Sequence, residues 1–326
     1  MIYKNNIFFF NGNSIIKHTK TDQKTYHYTS PMGLYSIIQN GKLWFTDCQF
    51  MNDKSEYVYI KKVLIKALDS SNQKDINESE KFADILMTPY ESLEMSEPKD
   101  GKPFSIGFTK SRYYLFCTSL KADSHNMWNY FTKNGNYVGY NIRFDIESFV
   151  NLFISLPNVT LVHGKVIYDE QEQIKQVKEK IELLDAQYNE KLKANKGHKF
   201  SDDNGNEYDP EEIFINQYQD SLSEFLQERC LFFKNHAFES EDEYRFIVKV
   251  DSKFSGENFK LNHRVGNNGV IIPFRELSFE PKQAMDQIIL APMMEKELAK
   301  AGLISLLGLS YEKQFDIKYS EIDVRF

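Results

Sequence analysis

Apolar positions along the chain switch repeatedly between a helical and a strand period. Leu34, Ile37 and Ile38 fall on one helical face. Ser30 before Pro31 places a capping hydroxyl ahead of a proline at the first helical position, and Asn40-Gly41 supplies the stop. Lys42 to Thr46 then alternates as a strand. Helical spacing returns over 56–69, with Val58, Val63, Ile65 and Leu68, and over 77–88, with Phe82, Ile85 and Leu86. A loop rich in proline and charge is predicted over 88–103. Tyr113 to Leu120 reads as a buried central strand, apolar until hydroxyls appear at its end. A short helix carries Trp128, Asn134-Gly135-Asn136 makes a tight turn, and strands follow at Tyr137–Phe144 and Leu161–Tyr168.

From residue 170 the pattern changes. Ile174, Val177, Ile181, Leu184, Tyr188 and Leu192 recur every three or four positions, a narrow apolar stripe in a very polar helix. A charged, Gly- and Asn-rich loop is predicted from Lys193 to Pro210, and helical pattern resumes over 211–229. Strand pattern returns soon afterwards, near Glu239–Phe246, 268–274 and 286–291. A helix around Met294 to Leu306 and a final strand ending at Arg325-Phe326 complete the chain. Short strands with segregated helices predict an α+β fold. The expected organisation is one domain over 1–326, with a helical insertion at about 170–229 that either packs on the core or meets a partner helix.

Composition narrows the class. At 326 residues with 41% hydrophobic positions the chain can bury a sizeable core, and its mean hydropathy of −0.52 is that of an ordinary globular protein. Net charge is −7, which disfavours broad electrostatic binding to nucleic acid. Lys191, Lys193, Lys196, His198 and Lys199 form a local basic cluster, read either as a solvated loop or as a phosphate contact. Cys48, Cys117 and Cys230 are widely spaced, so neither a disulfide framework nor a zinc site is indicated. No segment reads as a signal peptide or membrane span, and a cytoplasmic location is expected.

Two segments carry candidate chemistry. Tyr26-His27-Tyr28-Thr29 is a polar aromatic run on an early strand, and Glu239, Glu241 and Glu243 stand at every second position before Arg245. Residues two apart share a face of a strand, so Glu241 and Glu243 are expected to point the same way. Each piece also has a structural reading: His27 as a core or capping residue, the glutamates with Arg245 as a solvated, ion-paired face, Trp128 and Tyr130 as core. Asn52-Asp53 with Glu56 invites hard-cation binding, but lacks calcium-loop spacing, and Asp53 as a helix cap accounts for it. No metal site is therefore expected. Phosphate-binding glycine loops, zinc-protease motifs and nucleophile elbows are absent from the sequence.

Taken in order, His27-Tyr28-Thr29, Leu43-Trp44, Asn52-Asp53 with Glu56, Phe116-Cys117-Thr118-Ser119 and Met127-Trp128-Asn129-Tyr130 resemble a bacterial family catalogued as a domain of unknown function. Lys234, Phe238, Glu241, Glu243, Arg245, Ile272-Pro273, Ile288-Ile289 with Pro292, and Ser320 with Arg325 extend the resemblance over nearly the whole chain outside the helical insertion. That family, found among toxin and defence genes, is more distantly similar to the ADP-ribosyltransferase fold.

The resemblance implies a split antiparallel or mixed sheet with peripheral helices, and NAD as substrate. It implies that Glu243 is the catalytic carboxylate and that Glu241 positions the acceptor. His27, Tyr28, Thr29, Thr118, Ser119, Trp128, Tyr130 and Arg245 would line the cleft. The chain departs from the arginine-type pattern at two places: Cys117 replaces the first serine of the Ser-Thr-Ser element, and Tyr28 stands where a glycine follows the basic residue.

The expected activity is cleavage of the nicotinamide–ribose bond and transfer of ADP-ribose to a protein or nucleic-acid acceptor, in toxin action or anti-phage defence. A regulatory or antitoxin protein is the expected partner of the helical insertion. The alternatives are a non-catalytic sensor that binds a nucleotide or phage component, and, with little in the sequence for it, a magnesium-dependent nuclease.

Overall fold

A computed structural model describes residues 6–12, 15–51, 55–69, 111–131, 137–154, 156, 159–197, 199–201, 207–251, 256–266, 268–293, 295–312 and 315–323. The helix expected over 77–88, the loop over 88–103, Asn52-Asp53, the turn at 134–136 and Arg325 lie outside these residues. The chain divides into two compact units. The first joins Met1–Asn52, Lys110–Val166 and Ala237–Phe326, and the second joins Asp53–Thr109 and Ile167–His236.

The first unit is a large mixed sheet with helices, an α+β architecture. Its strands are β1 (Asn6–Phe10), β2 (Ile15–Lys17), β3 (Lys24–Thr29), β4 (Lys42–Asp47), β5 (Ser111–Ser119), β6 (Tyr140–Asp145) and β7 (Val159–Lys165). Leaving aside β8 (Phe200–Ser201) and β9 (Glu207–Tyr208), a separate two-stranded pair in the second unit, the sheet continues with β10 (Glu243–Asp251), β11 (Phe259–Val265), β12 (Ile271–Ser278), β13 (Met285–Leu290) and β14 (Asp316–Tyr319). One path through the sheet runs β14-β13-β6-β3-β5-β10-β7-β1-β2, and β4, β12 and β11 branch from β5.

The branch makes a fork. β10 pairs with β5 along its length, from Glu243↔Ser119 to Asp251↔Ser111. The other edge of β5 is shared: β3 meets it at Tyr26↔Ser119, while β4 meets it at Thr46↔Leu115 and Asp47↔Tyr114. The apolar face beneath the fork holds Phe45, Phe116, Phe144, Phe149, Phe153 and Phe246, all buried, with Phe116 stacked on Phe149 at 5.5 Å.

Helix α1 (Pro31–Asn40) forms for the reasons visible in the sequence. The Ser30 side chain accepts from the Gly33 amide, Pro31 opens the first turn, and Gly41 closes the helix at φ 57° with its amide bonded to the Ile37 carbonyl. Gly41 is required twice over. Its conformation is left-handed, and a Cβ there would stand 2.6 Å from the Phe279 carbonyl oxygen. Gly41→Ala is expected to lower stability by about 1–3 kcal/mol, read as a fall in the urea midpoint at unchanged slope.

The second unit contains α2 (Ser55–Asp69), α5 (Glu170–Ala194) and α6 (Pro210–Cys230), while α3 (His125–Phe131), α4 (Ile146–Asn151) and α7 (Lys296–Glu312) belong to the first. Of the α5 stripe, Ile174, Val177, Ile181 and Leu184 are buried. Asp169 caps α5 by accepting from the Gln171 and Glu172 amides, and Tyr59 of α2 donates to Gln173 at 2.8 Å. No helix of the described residues is long and apolar enough to cross a membrane.

Several sequence expectations change. The segment before Glu243 is a 3-10 turn, His236–Glu241, and not a strand. β1, β2, β11 and the β8–β9 pair had no strand reading: β2, β8 and β9 are two or three residues long, β1 is a brief apolar run without alternation, and Asn262-His263-Arg264 put three polar residues in a row in β11. The strand expected from Tyr137 starts at Tyr140, after a left-handed Tyr137 at φ 46°, and the last described strand ends at Tyr319.

Candidate functional site

Three segments far apart in sequence meet on β3, β5 and β10. Tyr26 pairs with Ser119, and Ser119 pairs with Glu243, so one row crosses the three strands. Paired residues on adjacent strands share a face. Tyr26, Ser119 and Glu243 therefore stand on one face, and Arg245, two residues on, stands there too. Thr25, Thr118 and Tyr244 stand on the other. His27 goes with the second set: its ring lies 4.6 Å from Phe116, and its Nδ1 is 3.2 Å from the Cys117 carbonyl oxygen. It packs on the Phe116 face of the sheet, the face opposite to Glu243.

Glu243 and Arg245 are both buried, and form a tight pair. Arg245 donates from Nε at 2.9 Å and from Nη2 at 2.6 Å, both to Glu243 Oε2. A guanidinium and a carboxylate two residues apart on a strand can reach each other because they share its face.

Glu241 does not share that geometry. It is the last residue of the 3-10 turn, and Asp242, at φ 44°, intervenes. The expectation that a strand period aligns the two glutamates is therefore corrected: no strand extends back to Glu241.

The hydroxyls of β5 hold backbone. Ser119 Oγ donates to the Glu241 carbonyl at 2.7 Å, and Thr118 Oγ1 donates to the Tyr244 carbonyl at 2.7 Å. Thr25 donates to both Thr118 Oγ1 and the Ser119 carbonyl. The Ser119 contact orients the turn before Glu243 through its main chain.

Tyr28 is buried, and its hydroxyl donates to the Lys121 carbonyl at 2.8 Å while accepting from the Ser124 amide at 3.0 Å. Burial pushes its phenol above the ordinary range. Trp128 is fully buried, edge-on to Tyr28 at 4.7 Å, with Nε1 donating to Asp123 at 2.6 Å. Both therefore brace the 121–124 loop from the core. Tyr130 is 58% exposed on α3, and Thr29 Oγ1 lies against Gly33, where a Cβ would approach it within 2.1 Å. Glu243, Ser119 and Arg245 are thus brought together, with Glu241 tied to them through its carbonyl. His27, Tyr28, Thr29, Trp128 and Tyr130 are not part of that group.

A second chain of titratable side chains had no sequence signal, since its members lie far apart. Tyr244 Oη is 2.7 Å from His163 Nδ1, His163 Nε2 is 3.1 Å from His18 Nδ1, and His18 Nε2 is 2.6 Å from Glu147. With both imidazoles neutral, every proton in the chain points toward Glu147: tyrosine donates to His163, His163 to His18, and His18 to the carboxylate.

Burial, reinforced by His18, pushes His163 down to about 3, and burial pushes His27 down to about 4 despite its bond to the Cys117 carbonyl. Both shifts favour the neutral ring in the folded chain, so the unfolded chain binds more protons as pH falls below about 6.5. Stability is expected to be fully present above that pH. Below it, about 3 kcal/mol is lost through His163 alone by pH 4. Urea midpoints from pH 7.5 to 4 test this, and His163→Gln is expected to flatten the slope.

Among the described residues no group of three or more His, Cys, Asp and Glu side chains could hold a metal ion. No curated protein and no solved structure matches the chain. The family comparison matches a narrower stretch than the sequence resemblance suggested, one that includes the 170–229 helices and ends on the strand bearing Glu243 and Arg245. Residues 127–246 match the family model described as "Protein of unknown function (DUF2971)".

Proposed function

We propose that the chain is an ADP-ribosyltransferase-like effector that consumes NAD, with Glu243 as the carboxylate beside the reacting ribose. The observation that supports this reading is the row Tyr26–Ser119–Glu243, in which segments far apart in sequence lie on three adjacent strands. In the proposed reaction the bond from the nicotinamide nitrogen to ribose C1′ breaks, and nicotinamide leaves with the electron pair. A nucleophile of the acceptor then bonds to C1′ and gives up its proton. Positive charge grows on the ribose meanwhile, and a carboxylate gripping the neighbouring hydroxyl stabilises it. Arg245 fixes the rotamer of Glu243 before substrate arrives. His27, on the opposite face of the sheet, is left out of the reacting group.

The test is nicotinamide release from NAD by the purified protein, with cell lysate as acceptor source. The buried Glu243–Arg245 pair favours a second reading as well, because a carboxylate already engaged by a guanidinium suits a site that binds without reacting. In that case the chain is a nucleotide-binding sensor, and NAD raises its melting temperature without any release. The absence of both release and stabilisation by NAD would overturn the transferase reading and leave a module that binds another ligand.

A further inference from the structure

We infer that Asp242 is a positioning residue, whose left-handed backbone sets where the Glu243 carboxylate stands; the inference rests on the reading of Glu243 as the reacting group. Tyr137 and Asp242 are the non-glycine residues with positive φ among those described. Such a conformation costs an L-residue about 1 kcal/mol or more, and persists where surrounding bonds over-determine it. Asp242 stands where the 3-10 turn becomes β10, immediately before Glu243.

Three successive carbonyls, those of Ser240 and Glu241 in the turn and of Asp242 after it, are each taken by a donor from the strap formed by the last residue of β5 and the two that follow it. Lys121 Nζ donates to Ser240 at 3.0 Å, Ser119 Oγ to Glu241 at 2.7 Å, and the Leu120 amide to Asp242 at 2.8 Å. The Asp242 amide closes the turn on the Glu239 carbonyl at 3.1 Å. The strap is itself anchored. Its Lys121 carbonyl, and the Ala122 carbonyl next to it, accept from the buried Tyr28 and Asn141 side chains at 2.8 and 2.6 Å.

All of these bonds address main chain, and the Asp242 carboxylate takes part in none of them, so what they hold is the left-handed backbone at 242 and the path it gives into Glu243. An extended backbone at Asp242 would lift its carbonyl off Leu120 and turn the first residue of β10 away from Ser119. The sequence holds a matching sign, since Asp is one of the few residues that tolerates the left-handed region.

The experiment compares kcat and KM for nicotinamide release in Asp242→Gly, Asp242→Asn, Asp242→Val and Asp242→Pro, each assayed well below its own melting temperature. Glycine and asparagine accept positive φ and are expected to keep kcat within about threefold of wild type. Valine, which disfavours positive φ but keeps the amide bonded to Glu239, is expected to lose about 100-fold in kcat at unchanged KM, and proline, locked near φ −65° and lacking that amide, at least as much where it folds.

Wild-type turnover in Asp242→Val, or in Asp242→Pro where it folds, would overturn the inference. So would a glycine variant as slow as valine, which would assign the effect to the carboxylate of Asp242 and not to its backbone. Glu243→Gln separates the two levels of the argument. If it slows release while proline or valine at 242 does not, the positioning role alone fails. If Glu243→Gln leaves release unchanged, the reading of Glu243 fails and this inference with it.

Discussion

Glu243→Gln is expected to lower nicotinamide release by about 10²–10³ while the protein still folds. The amide keeps the shape of the carboxylate, and its oxygen can still accept from Arg245, whose Nε and Nη2 both donate to Glu243 Oε2. What the change removes is the negative charge that the proposed reaction needs at the ribose, in a setting where Glu243 is 9% exposed and screening by water is weak. Weakening a buried ion pair also costs stability, so the melting temperature is expected to fall as well. The comparison is therefore made at a temperature where circular dichroism shows both proteins folded. A variant that is destabilised but turns over NAD at the wild-type rate would make the pair a structural element of the sheet and sink the transferase reading. Glu241→Gln is expected to leave NAD cleavage intact and to lower transfer to the acceptor, since Glu241 is held in the turn through its carbonyl and its side chain is not aligned with Glu243.

Trp128→Ala is expected to cost about 3–5 kcal/mol of stability, through a cavity left by the largest fully buried side chain. The lost bond from Nε1 to Asp123 adds to this, because Asp123 also ties down the Ser320 hydroxyl and the Glu321 amide. Trp128→Phe keeps most of the volume and the edge contact with Tyr28, and about 1–2 kcal/mol is expected. Urea unfolding of the three proteins measures both. A role as a ligand platform predicts the reverse: near-normal stability in Trp128→Phe with a clear loss of NAD-dependent stabilisation. The geometry of α3 favours the first outcome, since Trp128 faces inward while Tyr130 two residues later is on the surface.

His163 and Trp128 show how differently parts of this chain could be read. Trp128 sits in a helix whose structural reading was available from its apolar neighbours, and burial agrees with that reading rather than with a place in the cleft. His163 reads as an isolated polar residue in an apolar strand. Its partners lie 145 residues earlier and 81 later, so no local pattern could reveal the chain from Tyr244 to Glu147. The turn before Glu243 misled in a third way. Three glutamates at every second position imitate a strand, yet Glu239 and Glu241 lie in a 3-10 turn tied down by bonds from Ser119, Leu120 and Lys121, and only Glu243, after the left-handed Asp242, is in β10.

Local chemistry was sufficient for α1, where Ser30, Pro31 and Gly41 set both ends, and for the apolar stripe of α5, because caps and helical periods depend on neighbours within four residues. The mixture of periods was likewise enough for the α+β class. Which strands become neighbours, and which face each side chain takes, was decided only in three dimensions. The row from Tyr26 through Ser119 to Glu243 depends on β5 lying between β3 and β10, and the exclusion of His27 from that face follows from Tyr26, its neighbour, being on it. Register between distant strands is chosen by the packing of the whole sheet, and a shift of a single residue exchanges its faces.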